Sequence, residues 1–87
     1  MNIIIYTSTG CPYCDAAKNY FDRKGISYIE KNIDLDKDAY DELFAKLNGN
    51  FRGTPVIDIN GFIIEGFDTS KIEMALSFWS GFKFFLD

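Results

Sequence analysis

The chain has 87 residues, 47% of them hydrophobic and 25% charged, a balance that excludes disordered, collagen-like and coiled-coil proteins and suits one compact domain, residues 1–87. Thirteen acidic against nine basic residues give a net charge of −4 without a basic cluster, so we expect no nucleic-acid partner. The opening residues carry no basic targeting segment, and no apolar run approaches the ~18 residues that cross a bilayer, so we expect a cytoplasmic protein without a membrane partner.

The first third of the chain predicts a strand, a helix and a second strand. Ile3 to Tyr6 form a continuous β-branched run of the kind found in buried strands. The helix that follows has Pro12 in its first turn and Gly25 as its stop. Its inward face carries apolar side chains at helical spacing: Tyr13, Ala16, Ala17, Tyr20 and Phe21. Partial alternation over residues 27–33 predicts the second strand, which completes a right-handed βαβ unit.

Two further helices flank a predicted β-hairpin. Residues 34–49 begin with acidic side chains and end with Asn-Gly, which indicates a helix. Its apolar face is formed by Tyr40, Leu43, Phe44 and Leu47. Residues 55–66 hold two apolar runs around an Asn-Gly pair at 60–61, which favours a tight turn. A last helix is predicted to begin at Asp68 or Thr69. Its inward stripe is Ile72, Ala75, Leu76 and Trp79.

The predicted order β-α-β-α-β-β-α gives an α/β fold with a four-stranded mixed sheet and three helices. The tail SGFKFFLD at residues 80–87 is the segment that this pattern leaves open. We expect its apolar side chains to pack on the domain's own surface, with docking to a partner or fraying as alternatives. These side chains are Phe82, Phe84, Phe85 and Leu86.

The two cysteines, Cys11 and Cys14, stand three positions apart where the first strand gives way to the first helix. With no histidine and no third cysteine, the chain cannot by itself complete a zinc site of nitrogen and sulfur ligands, so no metal is expected unless two chains share a zinc ion or an iron-sulfur cluster. A disulfide between them closes too small a loop to be a purely structural bridge. Side chains at i and i+3 are neighbours on a helix, so the pair could form and break a disulfide without rebuilding the fold.

Cys11 is predicted to be a nucleophile because it lies at the amino end of the helix. Unpaired backbone N–H groups and the helix dipole favour a thiolate there and lower the pKa of the thiol. Cys14, one turn inside, is predicted to attack the mixed disulfide that Cys11 forms, and Pro12 stiffens the turn between them. In a cytoplasmic βαβ setting, C-x-x-C indicates a thioredoxin-like redox motif. The alternative is a pair of small buried apolar residues.

Three motifs together resemble the glutaredoxin family of the thioredoxin fold. They are CPYC at 11–14, TPV at 54–56 and GFD at 66–68, and the likeness covers essentially the whole chain. The resemblance implies a monomeric thiol-disulfide oxidoreductase that reduces protein disulfides or protein-glutathione mixed disulfides. Glutathione would be its co-substrate, and no cofactor would be tightly bound.

The resemblance also implies roles for residues facing the cysteines. Thr54-Pro55 would hold a cis proline and present the Thr54 backbone to an extended substrate, the alternative being a trans proline at the start of an edge strand. Arg52 would pair with one carboxylate of glutathione, or else be an ordinary surface arginine. Tyr13 would form a flat wall for the substrate, or else belong to the inward stripe of its helix.

The start of the last helix completes the binding site that the resemblance implies. Main-chain N–H groups there would hold a second carboxylate of glutathione, and Asp68 its ammonium group. Asp68 or Thr69 could instead cap the helix, and the two roles are compatible. The implied substrate-binding residues are Pro12, Tyr13, Arg52, Thr54, Pro55, Gly66, Phe67, Asp68 and Thr69.

Two positions depart from the family pattern. Ser8 stands where many glutaredoxins have a lysine, and Glu65-Gly66 replaces a common Gly-Gly pair. Both changes remove or oppose positive potential where an anionic tripeptide would bind. Gly66-Phe67 also resembles redoxins that take electrons from thioredoxin reductase, so this enzyme is the alternative electron donor. A hypothesis of another class is a non-catalytic adaptor that senses redox state or bridges a metal.

Overall fold

The framework of the protein is a four-stranded mixed sheet with helices on both faces. The structure is a computed structural model, and it describes the backbone of residues 2–86 and the side chains of residues 2–78. The elements in chain order are β1 Ile3–Thr7, α1 Pro12–Lys24, β2 Ile29–Asn32, α2 Lys37–Lys46, β3 Val56–Ile59, β4 Phe62–Glu65 and α3 Thr69–Leu86. This order is the predicted β-α-β-α-β-β-α, and the predicted thioredoxin-like fold is confirmed. Within the described residues, no helix has the length and apolar character to span a bilayer.

The strands lie in the order β2-β1-β3-β4. β1 is parallel to β2, with Ile4 opposite Ile29, and antiparallel to β3, with Ile5 opposite Ile57. β3 and β4 form the predicted hairpin, in which Ile57 lies opposite Ile64. The two central strands, β1 and β3, each pair with a strand on either side. Because these two strands are antiparallel, the carboxyl end of β1 and the amino end of β3 lie at the same end of the sheet.

Each face of the sheet has its own core. On one face, side chains of the strands pack against α1 and α3 in a cluster that includes Ile5, Ala17, Phe21, Ile57 and Ile72. On the other face, Tyr6 and Val56 pack against Leu43 of α2. Because helices cover both faces, residues of β1 that point either way are buried, with Ile4 partly so, which explains the continuous apolar run of this strand.

The helix ends follow local hydrogen bonding. α1 ends at Gly25, which adopts the left-handed conformation (φ +69°) that glycine tolerates best. α2 begins later than residues 34–49 predicted, because the Asn32 side chain accepts N–H groups of residues 34 and 35 and holds them in a turn. Asp36 then caps the helix by accepting the N–H groups of residues 38 and 39.

Three residues of the predicted apolar faces are exposed. Tyr13 in α1 is 68% exposed, and Cys14 is buried in its place. In α2, Tyr40 and Phe44 stack on each other at the surface while Ala39 is buried. The prediction of a helix face was right in period but too wide, because the helix packs on the sheet over a narrower arc than the apolar positions cover.

The backbone of α3 continues as a helix through Leu86, so the tail is not a separate irregular segment. Ile72, Ala75 and Leu76 of its predicted stripe are buried. The side chain of Trp79 lies outside the described side chains, and so does the predicted packing of the tail. The tail side chains concerned are Phe82, Phe84, Phe85 and Leu86.

A polar cluster joins α2 to the sheet. The buried Tyr6 hydroxyl donates to the Glu42 carboxylate, and burial together with this bond raises the pKa of Tyr6 to about 12. Lys46 binds Asp58 on β3 with a 2.7 Å Nζ–Oδ2 distance and lies over the Tyr6 ring. The hydrogen bonds from Tyr6 and from Lys31 lower the pKa of Glu42. The charged form of Glu42 is therefore the form that the fold stabilises.

We predict that Glu42 makes the protein sensitive to acid. Since its folded pKa lies below its ordinary value of 4.5, the contribution of Glu42 is complete above pH 4.5 and is lost as the pH falls through the folded pKa. Glu42→Gln should therefore lower the urea midpoint at pH 7 and show a smaller difference from wild type in strong acid. Asp41→Asn, which affects an exposed i,i+4 pair with Lys37, is the control and should change little. A constant difference between Glu42→Gln and wild type across this range would contradict the prediction.

Candidate active site

The cysteine pair begins α1 and forms a disulfide with a Cα–Cα distance of 5.2 Å. Cys11 is the N-cap residue, as predicted, and its Sγ accepts the backbone N–H of Cys14 at 3.1 Å. Cys14 is buried, with 1% of its surface exposed, whereas Cys11 is only half-buried. The pair is therefore asymmetric: one sulfur can be reached from solvent and the other is shielded behind it.

Thr54 and Pro55 face the disulfide across the fold. The peptide bond between them is cis, as the resemblance implied. The Thr54 carbonyl oxygen lies 3.7 Å from Cys11 Sγ, and the Thr54 hydroxyl donates to the same sulfur at 3.6 Å. Pro55 is buried at the start of the hairpin and its carbonyl accepts the Gly66 N–H at 2.8 Å. Pairing of β1 with β3 brings these residues together although 43 positions separate Thr54 from Cys11.

Pro12 and Tyr13 extend the site toward solvent. Pro12 is the first residue of α1, where the missing N–H costs no hydrogen bond. Tyr13 is predicted either to face the substrate or to belong to the inward stripe of α1. Its side chain is exposed, so it does not belong to the inward stripe. A flat aromatic ring beside the reachable sulfur is suited to packing against a bound chain.

An open groove leads from Thr54 along the loop between α2 and β3. Three of the predicted binding residues line it, namely Arg52, Thr54 and Gly66. The sequence reasoning missed the remaining loop residues, because the loop has no periodic pattern that distinguishes a wall from a connection. They are Gly49, Asn50, Phe51 and Gly53. Glu65 also lines the groove, so a carboxylate shares it with the guanidinium of Arg52.

The other predicted residues at the start of α3 have contacts of their own. The Asp68 carboxylate accepts the Lys71 N–H at 3.1 Å, which is the capping role foreseen as an alternative. Phe67 packs against Tyr20 with 5.8 Å between ring centroids. Thr69 is exposed as the first residue of the helix. Phe67, Asp68 and Thr69 are not among the described residues that line the groove.

Lys18 and Ser8, which stand on either side of the cysteines in the sequence, both have hydrogen-bond partners. Lys18, the base that follows the cysteines in α1, binds Glu30 at 3.1 Å, and this hydrogen bond raises the pKa of Lys18. Ser8 contacts Thr54 through a 2.5 Å Oγ–Oγ1 hydrogen bond. Among the described side chains, no group of three or more His, Cys, Asp or Glu residues could hold a metal ion.

Comparison with known proteins gives one consistent family. The model of the family described as glutaredoxin matches residues 3–64. A glutaredoxin-like 8.6 kDa protein of the rubredoxin operon of Clostridium pasteurianum is 34% identical over 85% of this chain and 96% of its own length. Glutaredoxin 1 of Rickettsia conorii is 35% identical over 76% of this chain, and the match spans 65% of that longer relative.

Solved structures share the fold. The thioredoxin-like protein BC3987 superposes with a TM-score of 0.78 and 26% identity, covering 85% of this chain and 99% of that one. NrdH-redoxin from Escherichia coli, a glutaredoxin-like protein with a thioredoxin-like activity profile, superposes with a TM-score of 0.74 and 30% identity. That match covers 85% of this chain and 93% of NrdH-redoxin.

The groove offers a matched pair of glycines for a stability test. Gly66 has a φ of +87°, whereas the backbone of Gly53 lies outside the left-handed region, and a Cβ added at either would meet no atom within 4 Å. Gly66→Ala should therefore destabilise the fold by about 1–2 kcal/mol through backbone strain alone. Gly53→Ala should be neutral or slightly stabilising. Urea unfolding of both variants measures this, and an equal effect of the two would refute the role of the Gly66 backbone.

Proposed function

The chain belongs to the glutaredoxin family and is a thiol-disulfide oxidoreductase, and we propose that Cys11 is the thiol that attacks the substrate disulfide. The observation that carries this proposal is the asymmetry of the pair. Cys11 is accessible and receives an N–H from the first turn of α1, whereas Cys14 is almost fully buried. A thiolate at Cys11 has both the stabilisation and the access that a nucleophile needs.

The reaction transfers two electrons in two exchanges. The Cys11 thiolate attacks one sulfur of the substrate disulfide, so that a mixed disulfide forms and the other substrate sulfur leaves as a thiolate. Cys14 then loses its proton and attacks Cys11 Sγ. This step releases the second substrate thiolate and leaves the Cys11–Cys14 disulfide, the form that the structure contains. The substrate disulfide is reduced to two thiols and the dithiol of the enzyme is oxidised.

The substrate that fits best is an extended segment of a protein chain. Backbone groups of Thr54 lie beside Cys11, and the groove continues from there past Arg52 and Gly66. An extended peptide can pair with such exposed backbone while its disulfide faces the sulfur. Tyr13 would cover the opposite side.

We propose that the oxidised enzyme is reduced by a dithiol reductase of the thioredoxin reductase class. The Glu65 carboxylate lines the groove where an anionic tripeptide would lie, and Ser8 occupies a position that is often cationic in glutaredoxins. A negative charge in the groove opposes binding of anionic glutathione. The match to 93% of the length of NrdH-redoxin, a glutaredoxin-like protein with a thioredoxin-like activity profile, supports this proposal.

Glutathione is the second candidate because Arg52 lines the groove together with Thr54 and Gly66. Its guanidinium could bind a carboxylate of glutathione in a bidentate manner. In that case Cys11 alone would suffice for deglutathionylation, since a second glutathione molecule would release the enzyme. The carboxylate of Asp68 could still bind an ammonium group while it caps α3.

Replacement of each cysteine separates the two roles. Cys11→Ser should reduce turnover of a protein disulfide to the background rate, because no thiolate remains at the accessible position. Cys14→Ser should still attack, and should accumulate a mixed disulfide that mass spectrometry detects. A non-catalytic adaptor would show no turnover in the wild type, and trapping of substrate on Cys14 in the Cys11→Ser variant would reverse the assignment.

The electron donor is tested by two coupled assays. NADPH oxidation with a thioredoxin reductase should be fast, and that with glutathione and glutathione reductase slow. Glu65→Gln should raise the glutathione-driven rate by about 2–5-fold, since it removes a charge that repels the tripeptide. Glu73→Gln, at an exposed carboxylate that pairs with Lys24 in the last turn of α1, is the matched control and should leave the rate unchanged. Turnover with glutathione alone as donor would overturn the proposed source of electrons.

A further inference from the structure

Two hydroxyl groups form a chain that ends at the nucleophilic sulfur. Ser8 Oγ lies 2.5 Å from Thr54 Oγ1, and Thr54 Oγ1 lies 3.6 Å from Cys11 Sγ. Ser8 follows β1 and Thr54 precedes β3, and the antiparallel register that sets Tyr6 opposite Val56 brings these two residues next to each other. Both residues are only partly exposed, which limits competition from water.

The direction of this chain is fixed by the number of protons. A hydroxyl has one proton to donate, so when Thr54 donates to Cys11 Sγ it must accept at Ser8. Ser8 is then the donor of the short bond. A thiolate is a far stronger acceptor than a disulfide sulfur, so reduction of the pair favours the order Ser8 to Thr54 to Cys11. Each bond in such a chain polarises the next one.

We propose that Ser8 is a positioning residue that stabilises the Cys11 thiolate through the Thr54 hydroxyl. Ser8 does not contact the sulfur itself; it orients the Thr54 proton toward it. The hydroxyl chain thus supplies a second donor besides the Cys14 N–H, in place of a cation at position 8. This inference rests on the proposed role of Cys11 as nucleophile.

The consequence is measurable in the reduced protein as the pKa of Cys11, taken from the pH dependence of its alkylation by iodoacetamide. Thr54→Val removes the proton at similar side-chain volume and should raise the pKa, so that alkylation below the pKa slows by about 3–10-fold. Ser8→Ala should slow it by about 2–4-fold, because the Thr54 hydroxyl remains but is no longer oriented. At a pH above the Cys11 pKa of both the wild type and the variant, each variant should be alkylated as fast as the wild type or slightly faster. The reason is that a more basic thiolate is the better nucleophile.

Three further variants isolate the pathway. Ser8→Thr keeps a hydroxyl and should retain the wild-type pKa. Ser8→Ala in the Thr54→Val background should cause no additional shift, because the connection to sulfur is already broken. Thr9→Ala removes a neighbouring exposed hydroxyl from a residue whose backbone N–H binds Asp34, and should leave the pKa unchanged. Charged groups near this end of α1 and in the groove stay the same in all variants, namely Asp15, Asp34, Arg52 and Glu65.

The outcomes distinguish the two proposals. An unchanged alkylation profile for Ser8→Ala, or an equal shift with and without the Thr54 hydroxyl, would overturn the role of Ser8 while leaving Cys11 as the nucleophile. A wild-type Cys11 pKa at the ordinary value of about 8.5 would instead sink the proposed role of Cys11. Equal thermal unfolding of the oxidised variants would show that a shift does not come from a damaged fold.

Discussion

The hydrogen bond from the Cys14 N–H to Cys11 Sγ is the contact on which the proposed chemistry of this protein depends. It exists because Cys11 is the N-cap of α1, where backbone donors have no partner within the helix. The sheet fixes this helix end by packing Ala17 and Phe21 against β1 and β3, so the donor points at the sulfur before any substrate arrives. A donor that is already in place loses little entropy when the thiolate forms, which is what makes it effective.

In the proposed function, recognition of the partner would depend on a different part of the fold from reactivity. The cysteine end of α1 offers backbone N–H groups that favour an anion at Cys11, together with a proline and an aromatic ring. The groove beyond Thr54 carries two charged side chains, Arg52 on the loop after α2 and Glu65 on β4. In the proposed function, a change of one groove side chain would alter binding of the electron donor without altering the sulfur chemistry.

The sequence was most informative where the chemistry is local. The order of elements and the position of Cys11 at a helix start follow from short-range patterns, and the structure confirms them. The approach of Thr54 to the disulfide came only from resemblance to a family, because no local pattern pairs β1 with β3 across 43 positions. Side-chain contacts were the least predictable. Ser8 was notable in the sequence as an absent lysine, and its bond to Thr54 emerges only when two distant loops meet.

The ion pair of Lys46 with Asp58 has a consequence for how the site can vary. Lys46 is the last residue of α2 and Asp58 lies in β3. Their 2.7 Å contact therefore joins the two ends of the segment that contains the groove loop and Pro55. The Asp58 carboxylate also accepts the Gly61 N–H, and this bond ties the same side chain to the hairpin turn. Residues 50–53 lie between these two anchored positions, and neither Lys46 nor Asp58 belongs to that range. Partner preference would therefore be able to diverge in this part of the loop while the contacts that hold both of its ends are kept.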